Sequence, residues 1–152
     1  MTYETIVEDL FQRFPSLRST YDKQFEWMGD ETANQYLVFG SVLIPFLEEA
    51  LAKANLKEIV QICAFLEDAS EAALNEVSLK ELIRIEIGEW LGWAANEDLL
   101  TPWLGEKTKR ICGYVSGLAT QRRALKTEKS SGLKSNWLTK GRAKIAGIFQ
   151  SR

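Results

Sequence analysis

The stretch YLVFGSVLIPFLEEAL, residues 36–51, decides the fold class of this 152-residue chain. Its apolar side chains recur so closely that they almost encircle a helix, and a helix of this kind usually lies at the centre of a bundle. We therefore predict a central helix over residues 32–54. Gly40 permits a neighbouring helix to approach closely, and Pro45 is expected to kink the helix or to divide it in two.

The segments on both sides of this helix repeat their apolar side chains with a helical period. Capping boxes are predicted at Thr5 and Ser78, and a C-terminal cap at Asn55. The other predicted helices cover residues 3–14, 16–28, 56–73, 78–93, 105–121 and 141–149. The pattern predicts an all-α, single-domain bundle of about six or seven helices. In it, residues 1–126 form an acidic helical bundle, and residues 127–152 form a basic loop and short helix packed on the same domain.

The composition excludes several classes of active site. The chain contains no histidine, which excludes Ser-His and Cys-His nucleophile systems and histidine-liganded metal sites. Its two cysteines, Cys63 and Cys112, form no CxxC pattern and are predicted to be cytosolic core thiols. The N-terminus is acidic, and no apolar run approaches about 18 residues. We therefore expect a cytoplasmic protein without a cofactor.

The net charge of −2 hides two regions of opposite charge. Residues 1–106 contain 20 acidic and 7 basic side chains, whereas residues 107–152 contain 12 basic side chains and one acid. The acidic region suits a surface that binds a basic protein such as a nuclease, because complementary fields accelerate association. Ordinary solvated helix faces are the alternative. Candidate contacts, chosen by charge density, are Glu67, Asp68, Glu71, Glu97 and Asp98.

The basic region offers a second interpretation, the binding of RNA or DNA. Trp137 lies among its basic side chains and would provide a stacking platform for a base. No recognised nucleic-acid-binding module is present, and a tail that folds back on the acidic bundle accounts for the same charges. The basic side chains concerned are Arg122, Arg123, Lys126, Lys129, Lys134, Lys140, Arg142 and Lys144.

Carboxylate pairs on two predicted helices suggest a third interpretation. Glu67 and Glu71 lie on one helix, and carboxylate oxygen binds Mg²⁺ without histidine. Glu86 and Glu89 lie on one face of the next helix. This spacing is similar to that of the all-α nucleoside triphosphate pyrophosphohydrolases, although that family ends its second pair with Asp. The resemblance implies an Mg²⁺-dependent nucleotide hydrolase. Solvated ion pairs, or a Glu89 carboxylate that caps a neighbouring helix, are the structural alternatives.

Three tryptophans recur near the end of the helix predicted over residues 78–93. Trp90, Trp93 and Trp103 would suit a pocket or an interface. Their helical spacing is more typical of core positions, so we predict that they lie in the core.

Four stretches between residues 36 and 110 carry a resemblance to known proteins. They are YLVFGSVLIPFL (36–47), FLE (65–67), EWL (89–91) and WLGEKTK (103–109). Together they resemble a group of small all-α bacterial proteins, some of which have toxin-immunity or antitoxin roles. The resemblance implies a helical fold and singles out Glu67 and Glu89, to which it assigns no chemistry.

These observations favour a non-catalytic binding protein over the two alternatives. We predict an immunity or antitoxin type of protein that blocks a basic, nuclease-like toxin through an acidic helical surface. Such a function requires no histidine, metal or cofactor, and it uses the acidic excess directly. The expected partner is a basic protein, and no membrane is involved.

Overall fold

Within residues 1–129, the part of the chain that the computed structural model describes, all regular secondary structure is helical. The eight helices of this part are α1 (Ile6–Arg13), α2 (Leu17–Gln24), α3 (Gln35–Ala52), α4 (Leu56–Ala72), α5 (residues 77–91), α6 (Glu97–Leu100), α7 (Glu106–Cys112) and α8 (residues 118–129). Short 3-10 turns, Glu26–Met28 and Ala73–Asn75, follow α2 and α4. The predicted all-α bundle is confirmed. Trp137 and the helix predicted over residues 141–149 lie outside the described residues.

The central helix is α3, as its composition predicts. It packs against α1, α2, α4 and α5, so its apolar side chains meet neighbours in several directions. Those buried are Val38, Phe39, Val42, Leu43, Leu47, Ala50 and Leu51. By length and composition alone this helix is apolar enough to cross a membrane. In the fold, the same side chains form the core of a helical bundle.

Two wide, π-helical turns interrupt the α-helical geometry of α3 and α5. They are Phe39–Leu43 in α3 and Ile83–Ile87 in α5, and they pack against each other. The first precedes Pro45, which has no N–H to donate to the turn before it. The expected division of this helix into two does not occur, because the π-helical turn accommodates the proline and the helix continues to Ala52. At Gly40 an added Cβ would lie 3.0 Å from Glu86 Oε2. The glycine therefore gives the side chain of the neighbouring helix room to approach.

The helix caps differ from those predicted. Asn55 is the N-cap of α4 rather than the C-terminal cap of α3, and its side chain accepts a hydrogen bond from the backbone N–H three residues later. Between the two helices Ala54 takes the left-handed conformation, with φ 50°. The Thr5 side chain makes no cap bond and donates instead to Asp9. Because α5 begins one residue before Ser78, no capping box forms there.

The prediction of a single helix over residues 105–121 is wrong, because the chain forms two helices there. α7 ends at Cys112, just before Gly113, and α8 begins after Gly117. These two glycines have φ values of 59° and 81°. Glycine adopts such left-handed conformations without the steric cost of a Cβ. The resulting turn directs the basic helix α8 back toward the end of α5.

Both cysteines are free thiols in or beside the core. Cys63 is buried on α4, and Cys112 is partly buried at the end of α7, where its Sγ donates to the carbonyl oxygen of Ile83. Burial raises the pKa of each thiol to about 12. Both thiols therefore stay protonated at neutral pH, and the prediction that they are core thiols is confirmed.

Candidate protein-binding surface

Glu67 forms a structural contact between two helices. It extends from α4 to the N-terminus of α7, where Oε1 accepts a hydrogen bond from the Lys107 N–H (3.1 Å). Oε2 accepts from the N–H (3.0 Å) and the hydroxyl (2.9 Å) of Thr108. The carboxylate thus satisfies donors that have no partner within α7 and lies at the positive end of its dipole. Desolvation raises the pKa of Glu67, but the bonds from Thr108 and Lys107 outweigh it, and the pKa is lowered.

Small and buried polar residues complete this contact, which we call the Glu67 cap. An added Cβ at Gly105 would lie 2.1 Å from Glu67 Oε2, so only glycine leaves room for the carboxylate. The hydroxyls of Ser70 and Thr108 are hydrogen-bonded to each other (3.1 Å), and both residues are fully buried. The Glu67 cap therefore joins α4 to α7 and is not a surface for a partner.

The two acidic neighbours of Glu67 on α4 are exposed but ion-paired. Asp68 pairs with Arg13 of α1. Glu71 pairs with Lys107 of α7, with 2.6 Å between Oε2 and Nζ. Because each carboxylate already faces a cation, this part of the acidic region attracts a basic partner less than its composition suggests.

Glu97 and Asp98 have contrasting surroundings at the start of α6. Glu97 is only 1% exposed. Its Oε1 accepts a hydrogen bond from the Thr120 hydroxyl (3.2 Å), and no donor in the described part of the chain reaches its Oε2. This burial contradicts the prediction that Glu97 contacts a partner. Asp98 is exposed, so the five predicted contacts do not form one free acidic surface.

The four carboxylates of the magnesium hypothesis do not assemble into one site. Among residues 1–129, no group of three or more Asp, Glu or Cys side chains is arranged to hold a metal ion. Glu67 is bonded to α7, whereas Glu86 lies over Gly40 of α3. Glu89 is the carboxylate expected to cap a neighbouring helix. In the structure, Glu67 has that role instead. The geometry of the described residues therefore lends no support to the hydrolase alternative.

The Glu86→Gln substitution is expected to stabilise the protein at neutral pH. Burial, with a smaller contribution from Glu89, raises the pKa of Glu86. The folded state thus binds this proton more tightly than the unfolded chain does, and the stability falls as the pH rises through that range. Urea unfolding should show a gain of about 0.5 kcal/mol at neutral pH and little change near about pH 3.5.

The exposed carboxylate of Glu31, in the loop before α3, provides the control for Glu86→Gln. Glu31→Gln should leave the stability unchanged at both pH values. A loss of stability in Glu86→Gln at neutral pH would show that the charged carboxylate stabilises the contact between α3 and α5.

The three tryptophans near the end of α5 are not all in the core. Trp90 is half-buried, and its Nε1 donates a hydrogen bond to Glu48 Oε1 (2.9 Å). Trp93 and Trp103 are 52% and 46% exposed, so the core prediction is wrong for both. They lie in loops beyond the last turn of α5, where helical spacing no longer determines which way a side chain points.

A fourth tryptophan, Trp27, is the most exposed of those described. It lies in the 3-10 turn Glu26–Met28 after α2 and is 77% exposed. Its neighbours Phe25 and Met28 turn inward and pack against the core, which leaves the indole directed outward. Tryptophan is enriched among the residues that contribute most to protein–protein binding.

The segment that carries Trp27 is held in place on both sides. Phe25 is buried before it, and Ala33 is buried after it. Tyr21 connects the two, because its ring packs against Phe25 with 5.0 Å between centroids, and its hydroxyl accepts a hydrogen bond from the Ala33 N–H (3.1 Å). A side chain presented by a fixed segment loses less conformational entropy when it binds a partner.

Acidic side chains flank Trp27 along the chain. Four exposed carboxylates lie within five residues of it along the chain, and within the described residues none of the four has an ion pair or a side-chain hydrogen bond. The one base in the same stretch is Lys23. With Trp27 they make up what we call the Trp27 surface: Asp22, Glu26, Asp30 and Glu31.

None of the residues of the Trp27 surface is among the predicted contacts, although the sequence contains a signal for this surface. In the helix predicted over residues 16–28, the apolar stripe is Leu17, Tyr21, Phe25 and Met28. Trp27 falls outside that stripe and between acidic residues. Because tryptophan is enriched among the residues that dominate protein–protein binding, a tryptophan on the polar side of an amphipathic segment is a candidate contact residue.

The helices and their contacts define a small all-α bundle with an acidic surface around an exposed tryptophan. The chain belongs to the family described as Domain of unknown function (DUF7674), whose match covers residues 7–116. This range includes the Trp27 surface and the Glu67 cap and ends before α8. No curated protein and no solved structure matches the chain.

Proposed function

We propose that this chain is a non-catalytic binding protein that binds and blocks a basic protein in the cytoplasm, as immunity and antitoxin proteins do. The observation that carries the proposal is the Trp27 surface. Its indole is 77% exposed, and four exposed carboxylates that have no ion pair within residues 1–129 lie within five residues of it along the chain. An aromatic anchor inside a polar, solvent-accessible rim is a common composition of a protein–protein interface.

The two components of the Trp27 surface have different roles in binding. The indole of Trp27 enters an apolar pocket of the partner and contributes mainly to the lifetime of the complex. The carboxylates attract a basic surface, so they contribute mainly to the association rate. A nuclease has such a surface because its cleft must attract phosphate, and a protein that covers the cleft blocks access of the substrate.

The partner therefore contacts the region at the end of α2, and not the acidic residues of α4 and α6 that charge density predicts. Glu67 and Glu97 have structural roles in the bundle. Asp68 and Glu71 are balanced by Arg13 and Lys107. In the part of the chain that the structure describes, no cation pairs with the carboxylates of the Trp27 surface, and we propose that they bind the partner.

Trp27→Ala is expected to remove the partner from the protein, because truncation of a central interface tryptophan costs more than 1 kcal/mol and often about 2 kcal/mol or more. The full-length chain and the variant are used as baits in lysate from the source cells, and the captured proteins are compared by quantitative mass spectrometry. One basic protein should be depleted in the variant sample, with an affinity at least about tenfold weaker in a titration of the purified pair.

Trp103→Ala is the matched control, because Trp103 is also exposed and lies outside the Trp27 surface. It should retain the partner. Asp30→Asn combined with Glu31→Gln should slow association and reduce its dependence on salt. The partner should be toxic when expressed alone and harmless when expressed with this chain. Equal capture by Trp27→Ala and the unaltered chain, or a captured partner without toxicity, would overturn the proposal.

A further inference from the structure

Five of the basic side chains of α7 and α8 line three adjoining grooves. At one end, Lys109 and Arg110 line an open groove of about 480 Å³ together with Glu106. Glu106 is ion-paired with Lys109, with 2.8 Å between Oε1 and Nζ, so Arg110 supplies the excess positive charge of this groove. At the other end, a groove of about 330 Å³ is lined by Trp93, Arg122, Leu125, Lys126 and Lys129. A cavity of about 120 Å³ joins them, because its lining includes Tyr114 of the first groove and Arg122 of the second. We call these three grooves the basic track.

The contacts of Arg122 fix one end of the basic track to the bundle. Arg122 Nη1 donates a hydrogen bond to the carbonyl oxygen of Gly92 (3.3 Å), at the C-terminal end of α5. An added Cβ at Gly92 would lie 2.5 Å from the same nitrogen. The glycine therefore makes room for the guanidinium, which also lies at the negative end of the α5 dipole.

Trp93 provides an aromatic surface between the cations of the track. The guanidinium carbon of Arg122 is 5.6 Å from its ring centroid, and Lys126 Nζ is 5.8 Å from it. The indole nevertheless remains 52% exposed. Among residues 1–129, the side chains that line the groove around Trp93 include three cations and no carboxylate.

We propose that the basic track binds single-stranded nucleic acid. The guanidinium and ammonium groups contact the phosphates, and one base stacks on the exposed part of the Trp93 indole. Cations and an aromatic ring along one groove are the combination used to bind single strands without sequence preference. This activity is separate from the proposed binding of a basic protein, which uses the oppositely charged Trp27 surface.

The geometry favours a single strand over other polyanions. The bases of a duplex are stacked inside it and cannot reach an indole, whereas the bases of a single strand are accessible. An acidic peptide supplies carboxylates but no extended aromatic ring for Trp93. A membrane requires a broad apolar face, and the groove at Trp93 offers one further apolar side chain, Leu125.

Trp93→Ala tests the stacking contact in the full-length chain. The probe is a fluorescein-labelled oligodeoxythymidine of 15 nucleotides, followed by fluorescence anisotropy. We expect about a tenfold weaker affinity, because base–aromatic stacking contributes on the order of a factor of ten per base. Trp93→Phe should restore most of the affinity. Trp103→Ala is the matched control, and circular dichroism confirms that each variant folds.

The cationic part of the basic track is tested by the salt dependence of the same binding reaction. Three phosphate contacts give a slope of about −2 for the logarithm of the association constant against the logarithm of salt concentration. Replacing Arg122, Lys126 and Lys129 by Gln should reduce this slope in magnitude by about 2 units relative to the unaltered chain. Lys57→Gln combined with Lys80→Gln, at exposed positions elsewhere, should leave it unchanged.

Three outcomes would overturn this proposal. The first is no binding of the oligonucleotide at low salt. The second is equal affinity of Trp93→Ala and the unaltered chain, which would show that charge alone holds the strand. The third is tighter binding of a duplex of the same length, or of phosphatidylglycerol vesicles, than of the single strand. None of these results depends on the basic protein partner or on Trp27→Ala.

Discussion

Replacing Glu67 by alanine is expected to lower the free energy of unfolding by about 3 kcal/mol, because hydrogen bonds to a charged group contribute about 1.5–3 kcal/mol and the donors left behind are poorly solvated. The substitution removes all three hydrogen bonds of the Glu67 cap. It leaves the N–H groups of Lys107 and Thr108 without a partner at the N-terminus of α7. Urea unfolding at neutral pH, followed by circular dichroism, measures the loss.

Glu71→Ala is the matched control for this prediction. Glu71 is one turn away from Glu67 on α4, pairs with the same Lys107 and is exposed. Loss of a solvated ion pair changes stability by about 0.5 kcal/mol or less. Equal destabilisation by both substitutions would show that Lys107, and not the capping of α7, is what makes Glu67 important.

The contribution of Glu67 also depends on pH. Its pKa is lowered in the folded state, so its stabilising effect is present above the pKa of the unfolded chain, about 4.3. The effect is lost as the pH falls through the folded pKa. The stability difference between the unaltered chain and Glu67→Ala should therefore shrink at acid pH.

Gly105→Ala is expected to have an effect of similar size, about 3 kcal/mol, although it removes no polar group. The backbone at Gly105 has φ −70° and ψ 158°, which alanine adopts without strain. The added Cβ would lie 2.1 Å from Glu67 Oε2 and 2.2 Å from its Cδ. The carboxylate must then leave the N-terminus of α7, and the cap is lost.

A double-mutant cycle tests this explanation. In the Glu67→Ala background no carboxylate remains for the new methyl group to displace, so Gly105→Ala should cost less than about 1 kcal/mol. Gly40→Ala is the control, because its Cβ would meet only the flexible end of Glu86 at 3.0 Å. Additive effects of Glu67→Ala and Gly105→Ala would show that the glycine is needed for another reason.

Helical periodicity predicts most of the fold because the core is made by regular apolar stripes. It fails where one residue type supports two structures. Asn55 suits either end of a helix, and the position of the chain reversal decides between them. Gly113 and Gly117 fit a helical period, and only their left-handed conformations show that the helix ends. The π-helical turn Ile83–Ile87 has no sequence signature of its own.

The roles of the acidic residues are harder to predict because they depend on contacts far apart in the sequence. Glu67 binds the backbone of Thr108, 41 residues later. Glu97 accepts a hydrogen bond from Thr120 of α8. Charge density along the chain cannot separate such residues from free ones. The indole of Trp27 is a local signal, since it interrupts the polar side of its own segment.

The protonated state of the two thiols has a practical consequence for experiments on this protein. A thiol with a pKa of about 12 reacts with maleimides far more slowly than an exposed cysteine does, because the thiolate is the reactive form. A cysteine introduced at an exposed position such as Ser19 can therefore carry a fluorophore or a spin label selectively. Cys63 and Cys112 can stay in place, and distances within the complexes proposed above become measurable without altering the core.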